Sequence, residues 1–117
     1  EAGRGQAAGL PLAPELARMF DAALAMLGCA IRAFVEADAS LGQRVCGSDG
    51  EVDRLAVDVL EKASAAMAGR ASGVAGGLAA LRVAANLERI ADLATNIGEG
   101  VIYMEEGRVI KHHKDQV

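Results

Sequence analysis

The sequence is poor in the residues that would indicate a disulfide scaffold, an aromatic-lined site or a membrane span. It has two cysteines, no tryptophan and an aromatic content of 3% in 117 residues. No apolar run reaches the roughly 20 residues that a membrane-spanning helix needs. With 12 Lys and Arg against 16 Asp and Glu, the chain lacks the excess of positive charge that holds a nucleic-acid backbone. We therefore expect a cytoplasmic protein with no nucleic-acid partner.

The two cysteines, Cys29 and Cys46, are predicted to be free thiols. The apolar periodicity puts both in one long helix, where a rise of ~1.5 Å per residue holds them roughly 25 Å apart. That distance is far beyond the reach of a disulfide. Neither cysteine has a nearby His pattern that would indicate nucleophilic catalysis.

The sequence is rich in aliphatic and small residues, which are typical of closely packed helices. Residues 1–13 show no periodicity and are predicted to be a flexible tail or linker, which ends at Pro14, a residue tolerated in a first helical turn. Apolar residues then recur at helical spacing through Val45, broken only at Asp38, which predicts a long first helix. Its predicted core stripe is Leu16, Phe20, Leu24, Leu27, Ile31, Phe34, Leu41 and Val45.

Two turn clusters divide the rest of the chain. Residues 47–50 predict a reversal, with Ser48 and Glu51 spaced as a capping box, and the Gly-rich stretch 69–73 predicts a second one. The two further core stripes are Val52, Leu55, Ala56, Val59, Ala63, Ala66 and Met67, then Val83, Leu87, Ile90, Ala94, Ile97 and Val101, the last ending near Gly107. We predict an all-α antiparallel three-helix bundle over residues 14–110, followed by a polar tail at 111–117.

Two pairs of acidic residues are spaced four apart, Asp49 with Asp53 and Glu88 with Asp92. Like charges at this spacing share a helix face and destabilise an isolated helix by roughly 0.2–0.5 kcal/mol. Antiparallel packing about the second turn brings the two pairs to the same height in the bundle. The spacing therefore predicts an acidic surface patch at one height on two helices, and it leaves open whether the two halves of the patch face each other.

Such a patch is explained either by a bound metal or by solvent. Carboxylates converging from facing helices suit iron, manganese or magnesium. The alternative is a solvated acidic face neutralised by Arg54, Arg82 and Arg89, and spacing alone favours it. The adjacent His112 and His113, in the polar terminal stretch, are expected to be solvated rather than to be ligands.

The predicted third helix closely resembles the PhoU family. The resemblance rests on the run Asn-Leu-Glu-Arg-Ile-Ala-Asp at 86–92, on 94–97 and 101–104, and on Gly107. Ala33-Phe34 and Asp38 late in the first helix, and 49–53 opening the second, also fit the three-helix repeat of that family. The resemblance covers residues 15–113.

The resemblance implies a metal-binding regulator and not an enzyme. PhoU proteins link a phosphate ABC transporter to its sensor kinase and repress the phosphate-starvation response, and they carry metal clusters on acidic motifs of the spacing found here. This implies Asp49, Asp53, Glu88 and Asp92 as ligands of a divalent or trivalent metal, with iron favoured and zinc, manganese or magnesium possible. The implied partners are the transporter ATPase, the sensor histidine kinase or both, and any association with a membrane would be through these partners.

The sequence departs from the family in two ways. A full PhoU protein has two tandem repeats and this chain has one, which implies a homodimer or a part of a longer protein. Leu93 also occupies a position where the family usually has His. Three alternatives remain: an accessory domain of another ion or phosphate transporter, a carboxylate-bridged metalloenzyme, and a structural helical module without metal.

Overall fold

The computed structural model describes residues 12–69 and 71–116, with the side chains of these ranges other than those of 71 and 113–116. Every regular element in these ranges is helical, as predicted. The helices are α1 (Ala13–Glu36), α2 (Ala39–Cys46), α3 (Asp49–Gly69) and α4 (Val74–Gln116), and a 3-10 turn at Ala71–Gly73 precedes α4. Pro14 lies in the first turn of α1, as expected, whereas residues 1–11 of the predicted tail lie outside the described ranges.

The first reversal of the chain occurs at Ala37 and Asp38, so the prediction of one helix through Val45 is wrong. Ala37 ends α1 in the left-handed conformation, at φ 53°. The carboxylate of Asp38 then caps α2 by accepting a hydrogen bond from the N–H of Leu41 at 3.1 Å. Asp38 is therefore a helix cap, and this explains why it interrupts the apolar stripe.

The segment at residues 47–50, where a reversal was predicted, is only a break between α2 and α3. Ser48 donates its hydroxyl hydrogen to the carbonyl oxygen of Arg44 at 2.7 Å and so closes the end of α2. The predicted bond between Ser48 and Glu51 is not among the hydrogen bonds of residues 39–69. Lys62 bonds Glu15 at 2.7 Å, which shows that α2 and α3 together form an arm that runs back along α1.

Leu16 is buried as predicted, but beyond it the core of α1 is one position away from the predicted stripe. Phe20, Leu24, Ile31 and Phe34, which were predicted to be buried, are 48–58% exposed. The buried residues form what we call the inner stripe: Leu16, Met19, Ala23, Met26, Ala30 and Ala33. It packs against Ala80, Ala84, Leu87, Ala91 and Ala94 of α4. Small residues on both helices let their axes approach closely, and this explains why the stripe of smaller residues is buried.

The closest approach in the bundle joins α2 to α4 at Gly42 and Gly98. A Cβ on Gly42 would lie 2.8 Å from the carbonyl oxygen of Gly98, and a Cβ on Gly98 would lie 2.9 Å from that of Gly42. Only glycine fits at either position, because the obstructing atoms belong to backbone. This contact fixes the height of the returning arm against α4.

The second turn was predicted correctly, since α3 ends at Gly69 and α4 begins at Val74. The residues of the α3 stripe are buried at Val52, Val59 and Ala63. The expected helix end near Gly107 is wrong, because α4 continues to Gln116. Both cysteines are free, although the long first helix from which this was argued does not exist. Among the described residues, no helix combines the length and the hydrophobicity that crossing a membrane would require.

Candidate metal centre

The register of the arm against α4 brings the four predicted acids to one level of the bundle. Gly42 lies against Gly98, and the Sγ of Cys46 donates to the carbonyl oxygen of Thr95 at 3.8 Å. Because the two helices are antiparallel, each step forward along the arm corresponds to a step backward along α4. This places Asp49 level with Asp92 and Asp53 level with Glu88. We call the surface formed by these four residues the acidic groove.

Electrostatics indicates that Glu88 interacts with two of the other acids. The pKa of Glu88 is raised above its usual value, first because the side chain is partly buried and then because the negative charges of Asp53 and Asp92 oppose its ionisation. Asp53 belongs to α3 and Asp92 to α4, so Glu88 is affected by charges from both sides of the acidic groove. Asp53 and Asp92 are themselves exposed, and their side chains have room to move.

The arginines that were considered as neutralising partners do not form ion pairs with these acids. The ion pairs of the described residues join Arg32 to Glu36, Lys62 to Glu15 and to Asp58, and Arg108 to Glu105. Arg89 instead donates to the side-chain oxygen of Asn86 at 3.4 Å. The acidic groove therefore has a negative charge that no ion pair offsets within residues 12–69 and 71–116.

The donors present are of the type that hard and borderline cations prefer, because all four are carboxylates. In their present rotamers, however, no three or more Asp, Glu, His or Cys side chains of the described residues come close enough together to hold a metal ion. A cation in the acidic groove would therefore need Asp53 and Asp92 to rotate towards Glu88. Their exposure on helix surfaces permits such a rotation.

One acidic residue beside the acidic groove was missed by the sequence analysis. Glu99 lies two helical turns beyond Asp92 on the same side of α4, and a spacing of seven residues could have indicated it. The pKa of the Cys46 thiol is raised, mainly by burial and then by the charges of Glu99 and Asp49. Asp49 therefore lies at the end of the acidic groove nearest this thiol, whereas Asp53 lies beside Glu88.

Comparison with known proteins gives a consistent result. The PhoU domain family model matches residues 16–101. The chain is 34% identical over 109 residues to the phosphate-specific transport system accessory protein PhoU homolog 2 of Thermotoga maritima. This alignment covers 92% of the chain and 46% of the relative, so the chain spans about half the length of the curated relative that it matches. No solved structure matches the chain.

Proposed function

The chain belongs to the PhoU family, and from that premise we propose that it is a metal-binding regulatory module of phosphate uptake and phosphate-starvation signalling. It acts by protein–protein interaction with a phosphate transporter ATPase, a sensor histidine kinase or both. PhoU proteins are accessory regulators and not enzymes. The name of the Thermotoga relative, a transport accessory protein, supports this role. In this proposal the module works in the cytoplasm and reaches the membrane only through its partners.

The observation that carries the metal proposal is the unpaired charge across two helices. Asp53 on α3 and Asp92 on α4 both raise the pKa of Glu88, and none of these three acids forms an ion pair among the described residues. A cation held by Asp49, Asp53, Glu88 and Asp92 removes this repulsion and ties α3 to α4. Iron is the favoured metal because of the resemblance to PhoU metal sites, and zinc, manganese and magnesium are the other candidates.

Thermal unfolding with and without added metal tests this proposal. A ligand present at 100 times its dissociation constant stabilises the folded state by roughly 2.7 kcal/mol, so iron, manganese, zinc and magnesium are each added to chelator-treated protein. The double variant Asp53→Asn/Glu88→Gln should lose the stabilisation. The matched control Asp21→Asn/Glu106→Gln removes the same charge from exposed acids outside the acidic groove and should keep it.

The metal-free proteins supply a second readout. Without metal, Asp53→Asn/Glu88→Gln should be as stable as the wild type or slightly more so, because the substitutions remove repulsion and preserve shape. If no metal stabilises the wild type, or if the double variant responds to metal as the wild type does, the four acids are a solvated surface and the metal proposal is wrong.

We also propose that the chain forms a homodimer. The half-exposed apolar side chains of α1, such as Phe20, Leu24 and Ile31, support this proposal, because they offer a surface that a second copy would cover.

A further inference from the structure

The strongest unexplained feature of the molecule is an uncharged surface on the side of α4 opposite the acidic groove. On α1, the four exposed residues that were wrongly predicted to be core recur, together with the partly buried Leu27, at alternating spacings of four and three. A second row at the same kind of spacing lies on α4. We call these two rows together the apolar face: Phe20, Leu24, Leu27, Ile31 and Phe34 of α1, with Ile90, Leu93, Ile97 and Met104 of α4.

The two rows lie side by side on one surface of the bundle. The opposite flank of α1 faces the arm, because Glu15 bonds Lys62 of α3. The opposite flank of α4 also faces the arm, because Glu88 lies near Asp53 of α3. The remaining flanks of α1 and α4, which carry the apolar face, therefore border the groove between these two helices. Ile90 and Ile97 are partly buried at the bottom of that groove.

The spacing on α1 is that of a helix with two packing partners. The inner stripe, from Leu16 to Ala33, is filled by the bundle. The row from Phe20 to Phe34 has the same repeat, displaced by one position, or ~100° around the helix. A three-and-four repeat is the pattern with which helices pack side by side against other helices. The bundle fills one stripe of α1, whereas in the other stripe Leu27 packs against the core and the remaining four residues stay about half exposed.

The exposed part of the apolar face approaches the size of one side of a stable interface. Six of its side chains are 48–58% exposed: Phe20, Leu24, Ile31, Phe34, Leu93 and Met104. A fully exposed large apolar side chain has ~200 Å² of accessible surface. Because these six are about half exposed, together they present roughly 600 Å² to solvent, and the partly buried members of the face add to this area. This area is at the upper end of the roughly 300–600 Å² of the largest apolar patch on a typical monomer, and it is about three quarters of the roughly 800 Å² that a stable interface of standard size buries on each partner.

Charge favours a second copy of the chain as the occupant. The chain has a net charge of −4, so two copies repel each other if they meet through their acidic sides. The apolar face contains no charged residue, and pairing through it keeps the two acidic grooves on opposite sides of the assembly. A two-fold interface requires a surface that accepts its own copy, and an uncharged apolar surface meets this requirement.

We propose that the apolar face is the surface through which two copies of this chain pair, so that α1 and α4 of each copy pack against α1 and α4 of the other. This inference rests on the homodimer proposed above and adds the surface that forms it. The paired helices make a four-helix core at the centre of the dimer, and the metal-binding acids face outwards.

Sedimentation equilibrium at several protein concentrations tests the inference with two matched double variants. Leu24→Gln/Ile31→Gln changes the apolar face at residues that are 48% and 51% exposed. Val57→Gln/Leu60→Gln is the control on α3, at residues that are 54% and 50% exposed. The wild type and the control should have twice the mass of the chain, and the face variant should have the mass of one chain. Leu93→Gln, on α4, should weaken pairing in the same direction.

Any other result contradicts the homodimer, the pairing surface or both. A wild type that is monomeric at about 100 µM, far above the Kd of an ordinary stable dimer, contradicts both the homodimer and the surface. A face variant that remains dimeric contradicts the surface alone. Circular dichroism of the variants should show unchanged helix content. Unfolding of Leu24→Gln/Ile31→Gln and of Leu93→Gln would identify these residues as the core of a single copy and overturn the inference.

Discussion

Two grooves of opposite chemistry border α4. Towards α1, the groove is lined by apolar side chains such as Leu93 and carries no charge, whereas towards α3 it is lined by Glu88, Asp92 and the acids of the facing helix. These two sets are interleaved along the same helix and are separated only by rotation, at ~100° per residue. One groove suits another protein surface and the other suits a cation. Residue type alone therefore does not reveal which apolar residues form the core.

The largest effect is expected where the inner stripe of α1 is compared with the apolar face. Met19 is fully buried, whereas Leu24 is 48% exposed. Met19→Ala should lower the free energy of unfolding by about 2–5 kcal/mol, because it leaves a cavity in the core. Leu24→Ala should cost about 1 kcal/mol or less in dilute solution, since half of its side chain is already in water.

Urea denaturation at low and high protein concentration measures both effects. The loss of stability caused by Leu24→Ala should increase with protein concentration, because this variant also weakens pairing. The loss caused by Met19→Ala should not depend on protein concentration. Equal costs for the two variants in dilute solution would show that the inner stripe was wrongly identified.

A smaller but specific effect is expected at the contact that holds the returning arm against α4. In Gly98→Ala the new Cβ would lie 2.9 Å from the backbone carbonyl oxygen of Gly42. Overpacking typically costs about 1–3 kcal/mol, and we expect the upper part of this range because backbone cannot move aside without moving a helix. A gain of ~1 kcal/mol in helix propensity offsets part of it, which leaves a net loss of about 2 kcal/mol.

Gly100→Ala is the matched control on the same helix. No atom lies within 4 Å of the position that its Cβ would occupy, so the variant should be stabilised by ~1 kcal/mol through helix propensity. Chemical denaturation of both variants gives the comparison. If Gly98→Ala is as stable as Gly100→Ala, the close approach of α2 and α4 is absent and the register of the acidic groove is no longer supported.

The smallest effect concerns the pH dependence of the acidic groove without metal. In the folded protein, the pKa of Glu88 is raised above 4.5, the ordinary value of a glutamate. A raised pKa contributes stability below the unfolded pKa that is lost as pH rises through the folded one. The stability of Glu88→Gln relative to the wild type should therefore increase from below pH 4.5 towards neutrality, by no more than about 0.5 kcal/mol.

The control for this effect is Glu106→Gln, which removes an exposed carboxylate of α4 outside the acidic groove. Its stability relative to the wild type should not change over the same pH range in the presence of chelator. A Glu88→Gln difference that stays constant with pH, or that decreases as pH rises, would contradict the repulsion between Glu88 and its neighbours.

The sequence predicted the fold class and the level of the acids because both follow from helical periodicity and from one Gly-rich turn at 69–73. It did not predict the first reversal, because Ala37 adopts a left-handed conformation that its residue type does not indicate. Asp38 caps α2, and in the sequence it was taken for a gap in a continuing stripe. The choice between the two stripes of α1 was also wrong, because periodicity weighted the larger residues and close packing favoured Ala23 and Ala30.

The metal content of the protein tests the central claim most directly. Elemental analysis of protein purified without chelator should find iron, or another metal of the same class, in a stoichiometric amount in the wild type. The amount should be unchanged in Asp21→Asn/Glu106→Gln and lost in Asp53→Asn/Glu88→Gln. A wild type without bound metal, even after incubation with iron, manganese, zinc or magnesium, or a full metal content in Asp53→Asn/Glu88→Gln, would contradict the assignment of the acidic groove as a metal site.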